Sequence, residues 1–288
     1  MAYTNFIPTI WNEAIMRELE RLCVFVTGCN RKYEGDVKKK GDSVTILGVG
    51  KPTISTLARN SRNDDINGPE EIEGTSVIMP INQIRYFNYM IGDIDRAQAV
   101  NGVMDSLSQE TSEGLASAID EYIAERVSDP GVSKVYSSTP KIVTAETSTT
   151  GEAFVLDALD TALQKLYEND VSTNTPVEAI ISPRFYKLFK RAYLKNDTDN
   201  HELMKNGKVA MYSNITIRMS NNVYKTDSGA VDNIMVRTQR AVAFANPMTH
   251  NEAYRPEKKF ADALKGFTLF DAKVVRPKEI VNLAVKYA

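Results

Sequence analysis

Cys23 and Cys29, with His201 and His250, are the only thiols and imidazoles in the chain. These side chains most often supply a nucleophile or a transition-metal ligand near neutral pH. In LCVFVTGCN the cysteines are spaced C-x5-C, which is neither a CxxC redox pair nor half of a usual zinc knuckle. They read as reduced thiols packed like small apolar residues. Both histidines lie in polar, loop-like stretches, so no triad or zinc site is expected from them. Gly48-Val49-Gly50-Lys51 hints at a phosphate loop, but Thr45 stands where its first glycine belongs and Pro52 where Ser or Thr would hold magnesium. Asn63-Asp64-Asp65-Ile66-Asn67-Gly68 resembles the start of a calcium loop. It begins with Asn rather than Asp, and Gly74 takes the place of the bidentate glutamate. Asn196 and Asn214 open glycosylation sequons that carry no meaning without secretion. The expectation is a protein with no catalytic residues, no cofactor and no metal.

The elements that position side chains say more. The stretch Ile94 to Val127 recurs at helical spacing through Val100, Met104, Leu107, Thr111, Leu115, Ala118 and Tyr122. Asp105, Gln109, Glu113, Asp120 and Glu121 are expected to turn mostly away from that stripe. Asp95 with Gln98 forms a capping-box pattern, and Asp129-Pro130-Gly131 ends the run. At 1.5 Å per residue the helix would be about 50 Å long, a rod suited to an elongated subunit rather than a compact enzyme.

Composition sets the frame. At 288 residues, 42% hydrophobic and 25% charged, the chain has an ordinary globular make-up and length for one sizeable core or two domains. Net charge −2 and pI about 5.9 exclude a global basic field toward nucleic acid. No apolar run reaches the roughly 20 residues of a membrane helix, so no membrane partner is expected. The first twenty residues lack a basic n-region followed by an apolar h-region, and synthesis in the cytoplasm is expected.

Along the chain, Ile10, Trp11, Ile15, Leu19 and Leu22 predict a short amphipathic helix after Pro8. It reads either as an ordinary packed first helix or as an arm laid across a neighbouring subunit. Strand-like runs at 43–47 and 75–79 flank a long polar middle, too long for a tight turn. A two-stranded arm is marginal alone, so its packing partner is expected in another molecule. Arg59 and Arg62, then Asp64, Asp65, Glu70, Glu71 and Glu73, present both signs of charge to such a neighbour. Further strands are expected at 81–91, 132–136, 141–143, 177–181, 215–219, 234–237, 241–245, 267–275 and 280–287. Helices are expected at 152–168 and from Pro183 to Tyr193. The two strands after 267 are expected to pair beside the long helix. Mixed helices and strands indicate an α+β or α/β class.

In this order the elements resemble the tailed-bacteriophage major capsid proteins of the HK97 fold, in the branch similar to the P22 coat protein. The resemblance rests on Phe6-Ile7-Pro8…Trp11, on Tyr33-Glu34-Gly35-Asp36…Gly41-Asp42-Ser43-Val44, and on Arg85-Tyr86-Phe87-Asn88-Tyr89…Asp93-Ile94-Asp95-Arg96-Ala97-Gln98. Downstream it rests on Ile181-Ser182-Pro183-Arg184-Phe185-Tyr186 and on Lys259-Phe260-Ala261-Asp262…Lys273-Val274-Val275-Arg276-Pro277. It implies an α+β subunit with an N-terminal arm (1–34), an extended E-loop hairpin (35–80), a P-domain with a long spine helix (81–150 and 265–288) and an A-domain (151–264). It also implies pentamers and hexamers closing into an icosahedral shell around double-stranded DNA, in a virion assembled in the host cytoplasm. Phe6, Trp11, Arg59, Arg62, Asp64, Asp65, Glu70, Glu71 and Glu73 then become inter-subunit contact candidates. The spans are too short for the extra domain of the P22 coat protein, and the arm motif begins at residue 6, which implies a separate scaffolding protein if any. Portal and decoration proteins are further implied partners, and packaged DNA is expected to be contacted weakly and without sequence preference. The alternatives are an encapsulin-type compartment shell and a soluble α/β enzyme seated in 152–264.

Overall fold

Alternation with period two becomes layering in the central sheet. Of Ala179, Ile180 and Ile181, the outer pair faces one apolar core and Ile180 faces another. A strand covered on both faces is buried throughout rather than alternately: Val231–Thr238 is buried at every position, its polar Asp232, Asn233, Arg237 and Thr238 included. The structure is a computed structural model that describes residues 23–32, 43–49, 53–56, 74–92, 103–136, 141–143, 149–195 and 211–287.

In chain order its elements are β1 (Ser43–Val49), β2 (Gly74–Pro80), β3 (Gln83–Gly92), α1 (Val103–Glu125), β4 (Ser133–Val135), β5 (Lys141–Val143), α2 (Thr149–Glu168) and β6 (Val177–Ile181). There follow α3 (Pro183–Lys195), β7 (Met211–Tyr212), β8 (Ile215–Met219), β9 (Tyr224–Thr226), β10 (Val231–Thr238), β11 (Val242–Tyr254), β12 (Ala261–Val274) and β13 (Ile280–Tyr287). The class is α+β. Among the described residues the strands form an eight-stranded sheet, a three-stranded sheet and a two-stranded hairpin. The large sheet runs β4-β13-β10-β6-β8-β7, with β5 also on β13 and β9 also on β10. The smaller sheet runs β11-β12-β3.

One face of the large sheet is covered by α2 and α3. Phe154, Val155, Ala158, Leu159, Ala162, Leu163 and Leu166, the apolar side expected of α2, are all buried there with Phe185, Leu188 and Phe189 of α3. Helix α3 starts where the sequence places it: Pro183 needs no N–H partner, and the Ser182 hydroxyl accepts the Phe185 N–H at 3.3 Å. Ile180 and Met235, pointing the other way, meet α1 and the three-stranded sheet through Leu115, Ile119, Ile123, Phe244 and Phe270.

The long helix is described over 23 residues, about 35 Å at 1.5 Å per residue, and a single 3-10 turn, Arg126–Ser128, follows it. Its proposed start at Asp95 and Gln98, with Val100, lies outside the described residues. The buried stripe is rotated from the expected one. It runs through Ser112, Leu115, Ala116, Ile119, Asp120, Ile123, Ala124 and Val127, while Leu107, Thr111, Ala118 and Tyr122 are only half-buried at its border. Asp120, expected to turn away, sits in the middle of this stripe at 2% exposure. Gly131, at φ +87, supplies the left-handed turn that releases the chain into β4.

The strands after residue 260 part company. β12 pairs with β3 beside the long helix, as expected, but β13 pairs antiparallel with β10 inside the large sheet, and parallel with β4 and β5. β11 runs well beyond the expected 241–245. Its register shifts between Ala245 and Met248, around Pro247. Proline cannot donate to a ladder, and a bulge on an edge strand accommodates it.

Candidate functional site

The described residues bring together one unusual cluster of ionisable groups, and it surrounds the point where the chain enters the fold. Cys23 to Asn30 is threaded between α1, the large sheet and β11. Phe25 is 1% exposed and shares a core with Leu115, Ile119 and Phe244. A backbone buried this way must find partners for its polar groups. The Val24 N–H donates to Asp120 Oδ2 at 2.8 Å and the Phe25 N–H to Asp120 Oδ1 at 3.1 Å. The Phe25 carbonyl accepts from Arg237 Nη2. Asn30 joins the edge of β11, donating to the Val242 carbonyl at 2.8 Å and accepting the Phe244 N–H at 3.0 Å.

Arg237 is the largest fully buried side chain of the described residues. Besides Phe25 it donates through Nη1 to Cys29 Sγ at 3.2 Å. Its charge is balanced by Asp120 from α1 and by Glu178 from β6, the latter also paired with Arg218 Nε at 3.2 Å. Burial pushes the Asp120 carboxyl up to about 6, against the pull of the Val24 and Phe25 N–H groups and of Arg237. Burial likewise raises Glu178, against Arg237 and Arg218, and raises the Cys29 thiol, against Arg237. Both cysteines are free and buried. The apolar reading therefore describes their burial but misses the guanidinium on Cys29. A raised thiol is a poor nucleophile at neutral pH. The chemistry of this cluster is mechanical: it anchors a chain segment.

A second junction lies at the foot of the β1–β2 hairpin. Val44, Ile46 and Met79 pack with Ile81 against Ala243, Ala245 and Leu269, and Lys273 Nζ donates to the Ile78 carbonyl at 2.7 Å. Part of the hairpin's packing partner is thus its own chain, which corrects the expectation of a partner only in another molecule. The opposite face is open at Ile78, which is 54% exposed. Asp271 ties this junction to the long helix by accepting from Tyr122 at 2.8 Å and from the Asn82 N–H at 3.3 Å.

Phe6 and Trp11, with Arg59, Arg62, Asp64, Asp65, Glu70, Glu71 and Glu73, lie outside the described residues, as do His201 and the calcium-like run at 63–68. His250 is exposed on β11, its ring 5.9 Å from that of Phe267. Among the described residues no group of three or more His, Cys, Asp or Glu could hold a metal ion, and no helix is long and apolar enough to cross a membrane. Sequence reasoning missed Asp120 and Arg237. The signal available was a charge at a helical position flanked by Ile119 and Ile123, and an arginine ending the apolar run of β10.

No protein-family model matches the sequence, and no curated protein does. Solved structures do match in fold. A chain of Mycobacterium phage Che8 superposes with a TM-score of 0.71 at 23% identity, over 90% of either chain. The capsid structure of the cyanophage P-SCSP1u gives 0.66 at 18% identity, covering 88% of this chain and 85% of that one. A virus-like particle from Pyrococcus furiosus gives 0.61 at 14% identity, covering 96% and 98%. With the hairpin, the long helix and the two sheets in this order, the chain has the HK97-like capsid fold.

Proposed function

We propose that the chain is a major capsid protein, a structural subunit rather than an enzyme, whose pentamers and hexamers close into the icosahedral head of a phage. The observation that carries this reading is the likeness in fold, over about nine-tenths of the chain, to chains of capsid structures. In this reading residues 1–34 are the N-terminal arm, 35–80 the E-loop, 81–150 with 265–288 the P-domain and 151–264 the A-domain. The anchor at Cys23–Asn30 fixes the base of the arm, and the Asp271 junction fixes the base of the E-loop. Phe6 and Trp11 on the arm, and Arg59, Arg62, Asp64, Asp65, Glu70, Glu71 and Glu73 on the E-loop, meet neighbouring subunits. Double-stranded DNA fills the shell and is held weakly and without sequence preference, consistent with a net charge of −2. The shell belongs to a virion assembled in the host cytoplasm, with separate scaffolding, portal and decoration proteins as partners.

Electron micrographs of the purified protein test the proposal, with size-exclusion chromatography beside them. Closed shells or capsomers far larger than 32.1 kDa are expected. A chain that remains monomeric under all assembly conditions overturns it. Nuclease-protected DNA inside the particles marks a phage head; a protein cargo in its place marks a compartment.

A further inference from the structure

Helix α3, PRFYKLFKRAYLK, holds five basic residues and no acidic one, in a chain whose net charge is −2. Phe185, Leu188, Phe189 and Ala192 are buried and fix which side of the helix faces out. Arg184, Lys187 and Arg191 are exposed. At 3.6 residues per turn these three fall within about 60° of one another, and the strip they form is about 10.5 Å long. Its leading cation is held in place: the Arg184 guanidinium lies over the Tyr287 ring at 5.8 Å, and the Tyr287 hydroxyl is 3.2 Å from that of Ser182 at the helix start.

This arrangement works against the helix itself. Like charges three or four residues apart repel along a helix face. Arg184 also opposes the positive end of the macrodipole, where the first turn carries no acidic residue. Carboxylates beside α3 come from α2, where Asp157 and Asp160 are exposed and Asp160 accepts the Tyr212 hydroxyl at 3.1 Å. A polyanion laid along the strip relieves the repulsion.

We propose that Arg184, Lys187 and Arg191 form a docking strip for the phosphate backbone of double-stranded DNA, recognised by charge and not by sequence.

The strip is then the surface through which the proposed capsid subunit meets its DNA, and to that extent it rests on the capsid reading. Each strand of a duplex carries one charge per ~3.4 Å of axis, so a strip of this length spans about three phosphates against its three cations. Guanidinium groups can grip phosphate oxygens in pairs. A disordered acidic peptide has no such fixed spacing. Neutralising three phosphates gives a slope of about −2.7 in log K against log salt, which is an affinity loss of about 40-fold between 50 and 200 mM. Contacts confined to the backbone leave the binding weak and indifferent to sequence.

Fluorescence anisotropy of a labelled duplex with subunits or capsomers of the full chain, read across that salt range, tests it. Replacing the strip by Arg184→Gln, Lys187→Gln and Arg191→Gln together is expected to bring the slope toward zero and to lower affinity about tenfold or more at 50 mM salt. Lys134→Gln, Lys225→Gln and Lys278→Gln together remove the same charge from exposed lysines elsewhere and are expected to leave the slope near its natural value. No binding by the natural chain at low salt, an unchanged slope in the strip variant, or equal losses in both variants overturns the proposal. Poly-glutamate bound more tightly than the duplex overturns the choice of DNA. If the strip variant fails to fold, acetylation of Lys187 in the natural chain decides: protection by the duplex supports the strip, and equal acetylation with and without it overturns the strip. Micrographs keep the two readings apart. Shells without strip-dependent binding overturn the strip alone, and a chain that never forms shells overturns the capsid reading while the slope is still read on subunits.

Discussion

The Tyr122 hydroxyl donates to Asp271 Oδ1 at 2.8 Å, closing a contact across 149 residues of sequence between the long helix and β12. Asp271 also accepts the Asn82 N–H between β2 and β3, so one carboxylate fixes three elements to one another. The Tyr122 ring is held independently, edge-on to Phe270 at 5.5 Å and beneath the Arg126 guanidinium at 4.6 Å. Tyr122→Phe keeps those contacts and removes one partner of an Asp271 that is 6% exposed. A hydrogen bond to a charged group contributes about 1.5 to 3 kcal/mol. A lowered denaturant midpoint in that range is expected, and an unchanged midpoint would show that water replaces the phenol.

Alkali should find the same bond. Burial and Asp271 hold the Tyr122 phenol well above its ordinary range; burial does the same for Tyr287; and burial, with Asp160, pushes Tyr212 up to about 12. The native chain then keeps protons that the unfolded chain releases near pH 10, so stability present below that pH is lost as pH rises above it. Tyr122→Phe removes one such group. Its stability is expected to decline less steeply between pH 10 and pH 12 than that of the natural chain, as measured by urea unfolding at fixed pH values.

Two glycines should respond in opposite ways. A Cβ on Gly28 would collide with the Glu178 carboxylate and the Arg237 guanidinium, whereas one on Gly114 would meet nothing within 4 Å. Gly28→Ala is expected to disrupt the anchor and lower the melting temperature. Gly114→Ala is expected to stabilise the helix by up to about 1 kcal/mol. Equal effects of the two substitutions would place the Cys23–Asn30 segment elsewhere.

What the sequence made legible follows from period and its limits from fine angle and long-range pairing. The seven apolar residues of α2 are buried as their spacing requires, because both covering layers are apolar and the stripe is broad. On α1 the polar and apolar positions interleave. Tyr122 and Ala118 mark the expected stripe as well as Ile119 and Ile123 mark the real one, and a rotation of some tens of degrees decides which is buried. The local pattern turns Asp120 toward solvent, because its partners are backbone N–H groups 95 and 96 residues away, which no local pattern displays. β13 has the apolar, β-branched make-up of a strand, but its neighbours β10 and β4 are chosen by topology. The candidate contact residues of the arm and the E-loop came from charge and family resemblance, and they remain proposals.

The rotated stripe makes its own prediction. Ile119 and Ile123 are fully buried, whereas Leu115 is 6% exposed and Ala118 only half-buried. Truncating a buried aliphatic side chain to alanine costs about 2 to 5 kcal/mol, against about 5 to 15 for a whole domain. Ile119→Ala is expected in that range with Leu115→Ala near its lower end, and Ala118→Ser near zero. Aggregates in place of shells are expected where the loss is largest. Thermal unfolding of the three variants orders them, and a harmless Ile119→Ala would show that the stripe is not buried as described.

The last prediction separates folding from assembly at the hairpin. Its foot is held by its own chain, through Val44, Ile46 and Met79 on Ala243, Ala245 and Leu269. Burying such side chains contributes about 1.5 to 3 kcal/mol each, and none of them lies between Asn60 and Glu73. Deleting Asn60 to Glu73 and closing the gap with a short glycine-rich turn therefore removes charge and length but leaves the packed foot. The unfolding midpoint is expected to change little. Assembly is another matter if Arg59, Arg62, Asp64, Asp65, Glu70, Glu71 and Glu73 meet neighbouring subunits. Exposed ion pairs contribute only about 0 to 1 kcal/mol each, so their effect lies in register and partner choice. The deletion is expected to give folded subunits that form few or malformed shells in micrographs. Normal shells would remove the loop from the list of contacts, and an unfolded chain would show that the foot alone cannot hold the hairpin.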